Sequence, residues 1–134
     1  MLPLNPAARA HFDHPRNVGE LDAHDPAVGS AQVSVPIGGE ILRLQLRFDA
    51  QGVVVAARFK AYGCGWMIAC GSLLTECILG QTVAELGHFR HHALVEKLDV
   101  PPAKLHCAVL AETALAAVLR DHAAKTAAAG HSIA

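Results

Sequence analysis

The 134-residue chain predicts an α+β fold, a three-stranded antiparallel sheet with helices packed on one face. Two observations carry that expectation. Apolar residues alternate with polar ones between residues 31 and 60 and then recur every three or four positions from Met67 onward. A run of strands followed by a run of helices places the helices over the apolar face of the sheet. A hydrophobic share of 52% against 17% charged residues supplies the core this arrangement needs and excludes a disordered chain. A chain of this length buries roughly two thirds of the surface it exposes when unfolded, so it needs no disulfide to fold.

Residues 1–30 are rich in Pro, His, Asp and Gly and show no period apart from a short helix around Pro6 to Phe12. They read as an arm laid over a single domain at 31–125. Ala31, Val33 and Val35 form one face of a first strand. Leu42, Leu44, Leu46 and Phe48 form the same face of a second, with Arg43, Gln45 and Arg47 on its polar side. Gly38-Gly39 suits the hairpin between them, and Asp49 to Gly52 turns the chain into a third strand over Val53 to Lys60. Met67, Cys70, Leu74 and Cys77 then lie on one helical stripe that stops at Gly80. Thr82 with Glu85 is a capping box for a short helix closed by Gly87. A further helix is expected from about His88 to Leu98. Pro101-Pro102 opens a long one that carries Ala111, Leu115 and Val118 to about Lys125. The tail at 126–134 is small and polar enough to be flexible.

Eleven Lys and Arg against twelve Asp and Glu leave a formal charge of −1. Without a clustered basic surplus, nucleic acid is not an expected partner. The N-terminus lacks the basic start and apolar stretch of a signal peptide. No run approaches the roughly 18 consecutive apolar residues of a membrane helix, so no membrane partner is expected either. A cytoplasmic, reducing location follows as the expectation, with Cys64, Cys70, Cys77 and Cys107 as free thiols or metal ligands.

Two places could carry chemistry. Cys64 sits in Gly63-Cys64-Gly65 at a strand-to-helix junction, where unpaired backbone N–H groups favour a thiolate and the flanking glycines admit a bulky group. Lys104-Leu105-His106-Cys107 opens the last helix, where an imidazole and a thiol could both face outward around one ion. Cys70 and Cys77 fall on the apolar stripe and are expected in the core. His88, His91 and His92 read as a solvated face with no Cys or carboxylate beside them, and His11 and His14 as surface residues of the arm.

Three ordered stretches carry a resemblance: His11-Phe12-Asp13-His14-Pro15-Arg16-Asn17-Val18-Gly19, Ala57-Arg58-Phe59-Lys60-Ala61-Tyr62-Gly63-Cys64-Gly65, and Pro101-Pro102-Ala103-Lys104-Leu105-His106-Cys107. Together they resemble the IscU/NifU N-terminal family of iron-sulfur cluster assembly scaffolds from about His11 to Asp121. The resemblance implies a protein, not an enzyme in the turnover sense, that accepts sulfur from a cysteine desulfurase, binds iron, and assembles a [2Fe-2S] cluster. It implies transfer of that cluster to acceptor apo-proteins with the help of a specialised chaperone or co-chaperone. Carried over by position, Cys64 and Cys107 match two of three ligand cysteines and His106 the histidine beside the third. Val100 to Lys104 resembles the chaperone-recognition motif, and Pro15-Arg16-Asn17 the segment that engages the desulfurase.

One position departs from the family. Gly38 stands where the resemblance places the first ligand cysteine, and Glu40 where it places an aspartate. Cys64, Cys107, His106 and Glu40 would still offer two thiolates, an imidazole and a carboxylate. That set holds a [2Fe-2S] cluster or iron less firmly than three thiolates and suits a single Zn²⁺. Cys107, at a helix start, is expected to accept sulfur. Two further readings remain open: a degenerate paralogue that binds the desulfurase or chaperone and regulates assembly without holding a cluster, and a site whose missing ligand comes from a partner or a second copy.

Overall fold

The structure, a computed structural model, describes residues 3–36 and 39–133; Ile37 and Gly38, the middle of the expected hairpin turn, lie outside the described residues. Three strands, β1 (Val28–Ser34), β2 (Ile41–Phe48) and β3 (Val54–Tyr62), form an antiparallel sheet in the order β1-β2-β3. The register aligns Ala31 with Leu44 and Leu44 with Phe59, so the alternating apolar side chains stack on one face. β1 starts three residues before the alternation becomes visible, because Val28 to Ser30 pair with Arg47 to Gln45 although Gly29 and Ser30 carry no strand signal.

Helix α1 (Pro6–Asp13) is capped by the Asn5 side chain, which accepts from Ala8 N at 2.9 Å, with proline in its first turn. Helix α2 (Gly65–Ile78) is apolar around most of its circumference, and ten of its fourteen residues are buried against β3 and the other helices. Gly71 lets it press on the sheet: a Cβ there would stand 2.8 Å from the Phe59 ring. Helix α3 (Val83–Leu86) has the full Thr82/Glu85 capping box. Helix α4 (His92–Leu98) begins later than the expected His88, since the amides of His88 and Phe89 continue α3 by bonding back to Glu85 and Leu86.

A 3-10 turn at Pro102–Lys104 leads into α5 (Leu105–Ile133), which continues past Lys125 through the expected tail; its alanine-rich end favours helix. The span Pro102–Ala128 is long and apolar enough, by length and composition alone, to cross a membrane. Its apolar residues Cys107, Ala111, Ala114, Leu115 and Val118 are instead buried in the core, where α5 packs on β1 and β2.

The arm closes the polar face. The amide of Phe59 donates to Asn17 and that of Gly19 to Phe59, and Lys60 and Arg43 both reach Glu20. Gln45, expected on a solvated face, is therefore 1% exposed, with Oε1 taking the Leu21 amide and Nε2 donating to Ser30 Oγ. Lys125 ties the arm to α5 through the carbonyls of Ala23 and Val28, each at 2.7 Å, and pairs with Asp121, which accepts from Ser30 N. Cys77, expected in the core, is only half-buried because it lies at the end of α2, where Lys97 Nζ reaches its sulfur at 3.8 Å.

Candidate metal centre

Three segments distant in sequence meet at one end of the sheet. The first is Glu40, just before β2. The β2–β3 register pairs Ile41 with Tyr62, which sets Glu40 beside Gly63. Gly63 has φ +135°, and a Cβ on it would fall 2.8 Å from Glu40 Cγ, so only glycine admits this approach without a shift. Val35 N donates to Glu40 O at 2.9 Å and fixes the carboxylate's base. The second segment is Cys64, the N-cap of α2, whose backbone is extended and whose side chain makes no capping bond. The third is His106-Cys107 in the first turn of α5.

The side chains converge. Cys64 Sγ lies 3.8 Å from Cys107 Sγ, and His106 Nε2 lies 3.1 Å from Glu40 Oε1. Ligand atoms of Glu40, His106 and Cys107 all fall within 4.8 Å of one another. The other carboxylate oxygen, Glu40 Oε2, is buried without a hydrogen-bond partner among the described residues. An acceptor left bare inside a protein is costly, and it points to a cation that would occupy this position. Burial pushes the Glu40 carboxyl up, but the hydrogen bond to His106, with its own backbone and the Cys64 side chain close by, outweighs it and holds the group below the ordinary carboxylate range.

The thiols differ from expectation. Cys107 does not face outward with His106: it is fully buried, while His106 stays partly exposed. Cys107 lies on the same face of α5 as the buried Ala111, Ala114, Leu115 and Val118, and His106, about 100° away, does not. Burial, followed by the nearby sulfurs of Cys64 and Cys70, pushes the Cys107 thiol well above the usual range. Cys70 is buried in the core as expected, its thiol raised to about 12 chiefly by burial. Cys64 is the more open sulfur. It lines a cleft of about 260 Å³ with an apolar floor of Leu4, Phe12 and Trp66 and with Arg9 and Lys104 beside it.

Two polar clusters escape the sequence. His11, expected at the surface, packs into the core edge, with Nδ1 2.7 Å from Ser72 Oγ and Nε2 3.4 Å from Glu76. His91 meets a carboxylate after all, since Glu112 Oε1 lies 3.0 Å from its Nδ1 and accepts its backbone N–H at 2.7 Å. The partners are 61 and 21 residues away, and no local pattern links them. His88 and His92 keep no carboxylate among the described residues.

Glu40, His106 and Cys107 could together face one ion, with the Cys64 thiol beside Cys107; two thiols, an imidazole and a carboxylate are donor types that suit zinc, and they offer iron one soft sulfur fewer than three cysteines would. Gly38 lies outside the described residues and adds no donor in any case, having no side chain.

Comparison with known proteins identifies the family and the fold. The profile of the NifU-like N terminal domain matches residues 5–129. The chain is 46% identical over 112 residues to the iron-sulfur cluster assembly scaffold protein IscU of Azotobacter vinelandii, covering 84% of this chain and 88% of that protein. It is 43% identical over 115 residues to a Drosophila melanogaster protein named iron-sulfur cluster assembly enzyme IscU, covering 86% and 75% respectively. The fold matches a crystal structure of a nitrogen-fixing NifU-like protein (N-terminal) from Brucella abortus with TM-score 0.70 at 20% identity, covering 90% of this chain and 94% of that one. The chain belongs to the NifU-like N-terminal domain family.

Proposed function

We propose that this protein is an iron-sulfur cluster assembly scaffold of weak grip, which gathers iron and sulfur at Cys64, Cys107, His106 and Glu40 and releases the product readily. The observation that carries the reading is the convergence of Glu40, His106 and Cys107, with Cys64 against Cys107 and with Glu40 Oε2 unpaired among the described residues. The cluster is cargo. Glu40 is held ionised by His106 and offers a hard oxygen to iron, while the two cysteines offer the soft donors. We assign Cys64 as the sulfur acceptor in place of Cys107, because Cys64 lines the cleft through which a donor approaches and Cys107 is buried behind it.

The partners follow from the same reading: a cysteine desulfurase that engages the Pro15-Arg16-Asn17 region, a chaperone or co-chaperone, and acceptor apo-proteins, all in a reducing, cytoplasmic setting. Pro102 and Ala103 are exposed on the turn before α5, which supports Val100–Lys104 as the chaperone's handle. Iron, a labile [2Fe-2S] cluster or zinc are the cofactors this donor set suits. Gly38 favours a second reading, a regulator that binds the desulfurase or chaperone and holds no cluster.

Metal analysis beside a visible absorption spectrum separates these, on the protein as purified and after anaerobic reconstitution, for the unsubstituted chain and Gly38→Cys. Zinc or little metal is expected as purified, with a cluster that forms and is lost on desalting, and one that survives desalting in Gly38→Cys. A full-occupancy cluster that persists in the unsubstituted chain would overturn the weak-grip reading. No metal and no cluster in either protein would favour the regulator.

A further inference from the structure

Resting on that reading of Cys64 as a sulfur acceptor, we infer that Cys107 is a resolving thiol, which displaces sulfide from a persulfide carried on Cys64 and so lets the chain reduce its own sulfur cargo. Two observations carry the inference. The sulfurs are 3.8 Å apart, in van der Waals contact, each at the start of a helix anchored in the core. Access to them is unequal, since Cys64 lines the cleft and Cys107 is fully buried. Sulfur arriving from outside therefore lands on Cys64, and the thiol nearest to the loaded sulfur is one that no incoming donor reaches.

Thiol–disulfide exchange requires the attacking sulfur, the attacked sulfur and the leaving sulfur to lie close to one line. Cys107 Sγ lies 3.8 Å from Cys64 Sγ, and the cleft that Cys64 lines gives the outer sulfur room. The Cys64 persulfide and the Cys107 thiol react to give a Cys64–Cys107 disulfide and one molecule of hydrogen sulfide. The bond that forms joins the two cysteine sulfurs, with the electron pair supplied by Cys107. The bond that breaks is the persulfide S–S bond, whose pair leaves with the outer sulfur. That sulfur is reduced to sulfide and the two cysteines are oxidised to a disulfide; because burial keeps Cys107 protonated, its proton passes to the leaving outer sulfur as the new bond forms. Arg9 and Lys104 beside the cleft favour sulfide leaving as an anion. The step needs no outside electron donor. A low-molecular-weight thiol or a dithiol protein then reduces the disulfide and resets the pair.

Nothing else in the chain competes for this role. Cys70 is buried inside α2 and Cys77 lies at the far end of that helix beside Lys97. The two contacting thiols also bear on cluster building: a chain with three ligand cysteines can keep its sulfur as persulfide while a third thiol waits, whereas here the second thiol is also the last.

The test uses the full-length, metal-free protein under anaerobic conditions without added reductant. It is loaded briefly with glutathione persulfide, freed of small molecules by desalting, and assayed for released sulfide while a peptide map reads the cysteines. Expected are sulfide equal to the sulfur loaded and a Cys64–Cys107 disulfide peptide lighter by two hydrogens. Cys107→Ala should keep the added sulfur on Cys64 and release at least about tenfold less sulfide. A persulfide that stays on Cys64 of the unsubstituted protein overturns the inference and leaves the acceptor reading intact. A Cys107→Ala protein that releases sulfide as fast as its parent also overturns it. Failure of Cys64 to take up any sulfur overturns both. The peptide map of the unsubstituted chain decides the matter even where the variant does not fold.

Discussion

The two ends of α5 treat buried polar groups in opposite ways. At its far end, Asp121 takes the Ser30 amide and Lys125, and Lys125 donates to two carbonyls of the arm and strand β1. These two charges hold the arm and β1 to α5. At its near end, His106 and Glu40 form one hydrogen bond, Glu40 Oε2 has no partner among the described residues, and two thiols lie 3.8 Å apart without a disulfide. A network complete in itself is architecture, and one that is incomplete by a cation or a bond is a site.

That contrast predicts a double dissociation. Replacing Cys64 and Cys107 by alanine should weaken zinc binding, read by competition with a chromophoric chelator, by more than the roughly 100-fold that loss of an outer-shell partner costs. Lys125→Met should leave zinc binding unchanged and lower unfolding stability in urea by about 1.5–3 kcal/mol, the range for hydrogen bonds to charged groups. Equal loss of zinc affinity in both proteins would erase the distinction between the two ends.

A smaller effect probes the near end alone. Gly63→Ala forces a side chain into the left-handed region and against Glu40, and should cost about 1–3 kcal/mol in stability while moving the carboxylate away from His106. Denaturant titration with zinc competition checks this, and an unchanged zinc affinity would show that Glu40 is not held where the metal needs it.

The smallest effect is one of slope. Glu40 titrates lower folded than unfolded, so its charged form contributes stability at neutral pH that is lost as acid protonates it below the ordinary carboxylate range. The stability gap between the parent and Glu40→Gln should therefore narrow as pH falls through that range. Acid unfolding followed by circular dichroism would show it, and parallel curves would refute it.

Much of this molecule is legible in its residues. Alternation through Ala31 to Lys60 and the change to helical spacing at Met67 mark the sheet and α2, since both periods follow from backbone geometry alone. Cys64, His106 and Cys107 stand out from their local sequence, and Glu40 enters only through the resemblance. The inward turn of Cys107 follows from helix geometry, because it falls four, eight and eleven residues before Ala111, Leu115 and Val118 on the apolar stripe of α5. The burial of Gln45 was not legible: alternation assigns a side to a strand residue but cannot say that an arm will cover it. His11 and His91 likewise found Ser72 and Glu112 only through tertiary packing, which leaves no mark on the neighbouring sequence.

The uncapped start of α2 carries a consequence for how this fold can be improved. Serine at an N-cap accepts a backbone N–H, and a good cap is typically worth ~1 kcal/mol; Cys64 makes no such bond. A chain selected for thermal endurance alone would exchange that sulfur for oxygen. Keeping sulfur leaves the helix under-fastened at the very residue assigned to chemistry, so any campaign to stabilise this protein by screening melting temperature will be drawn toward position 64 and will disarm what it hardens.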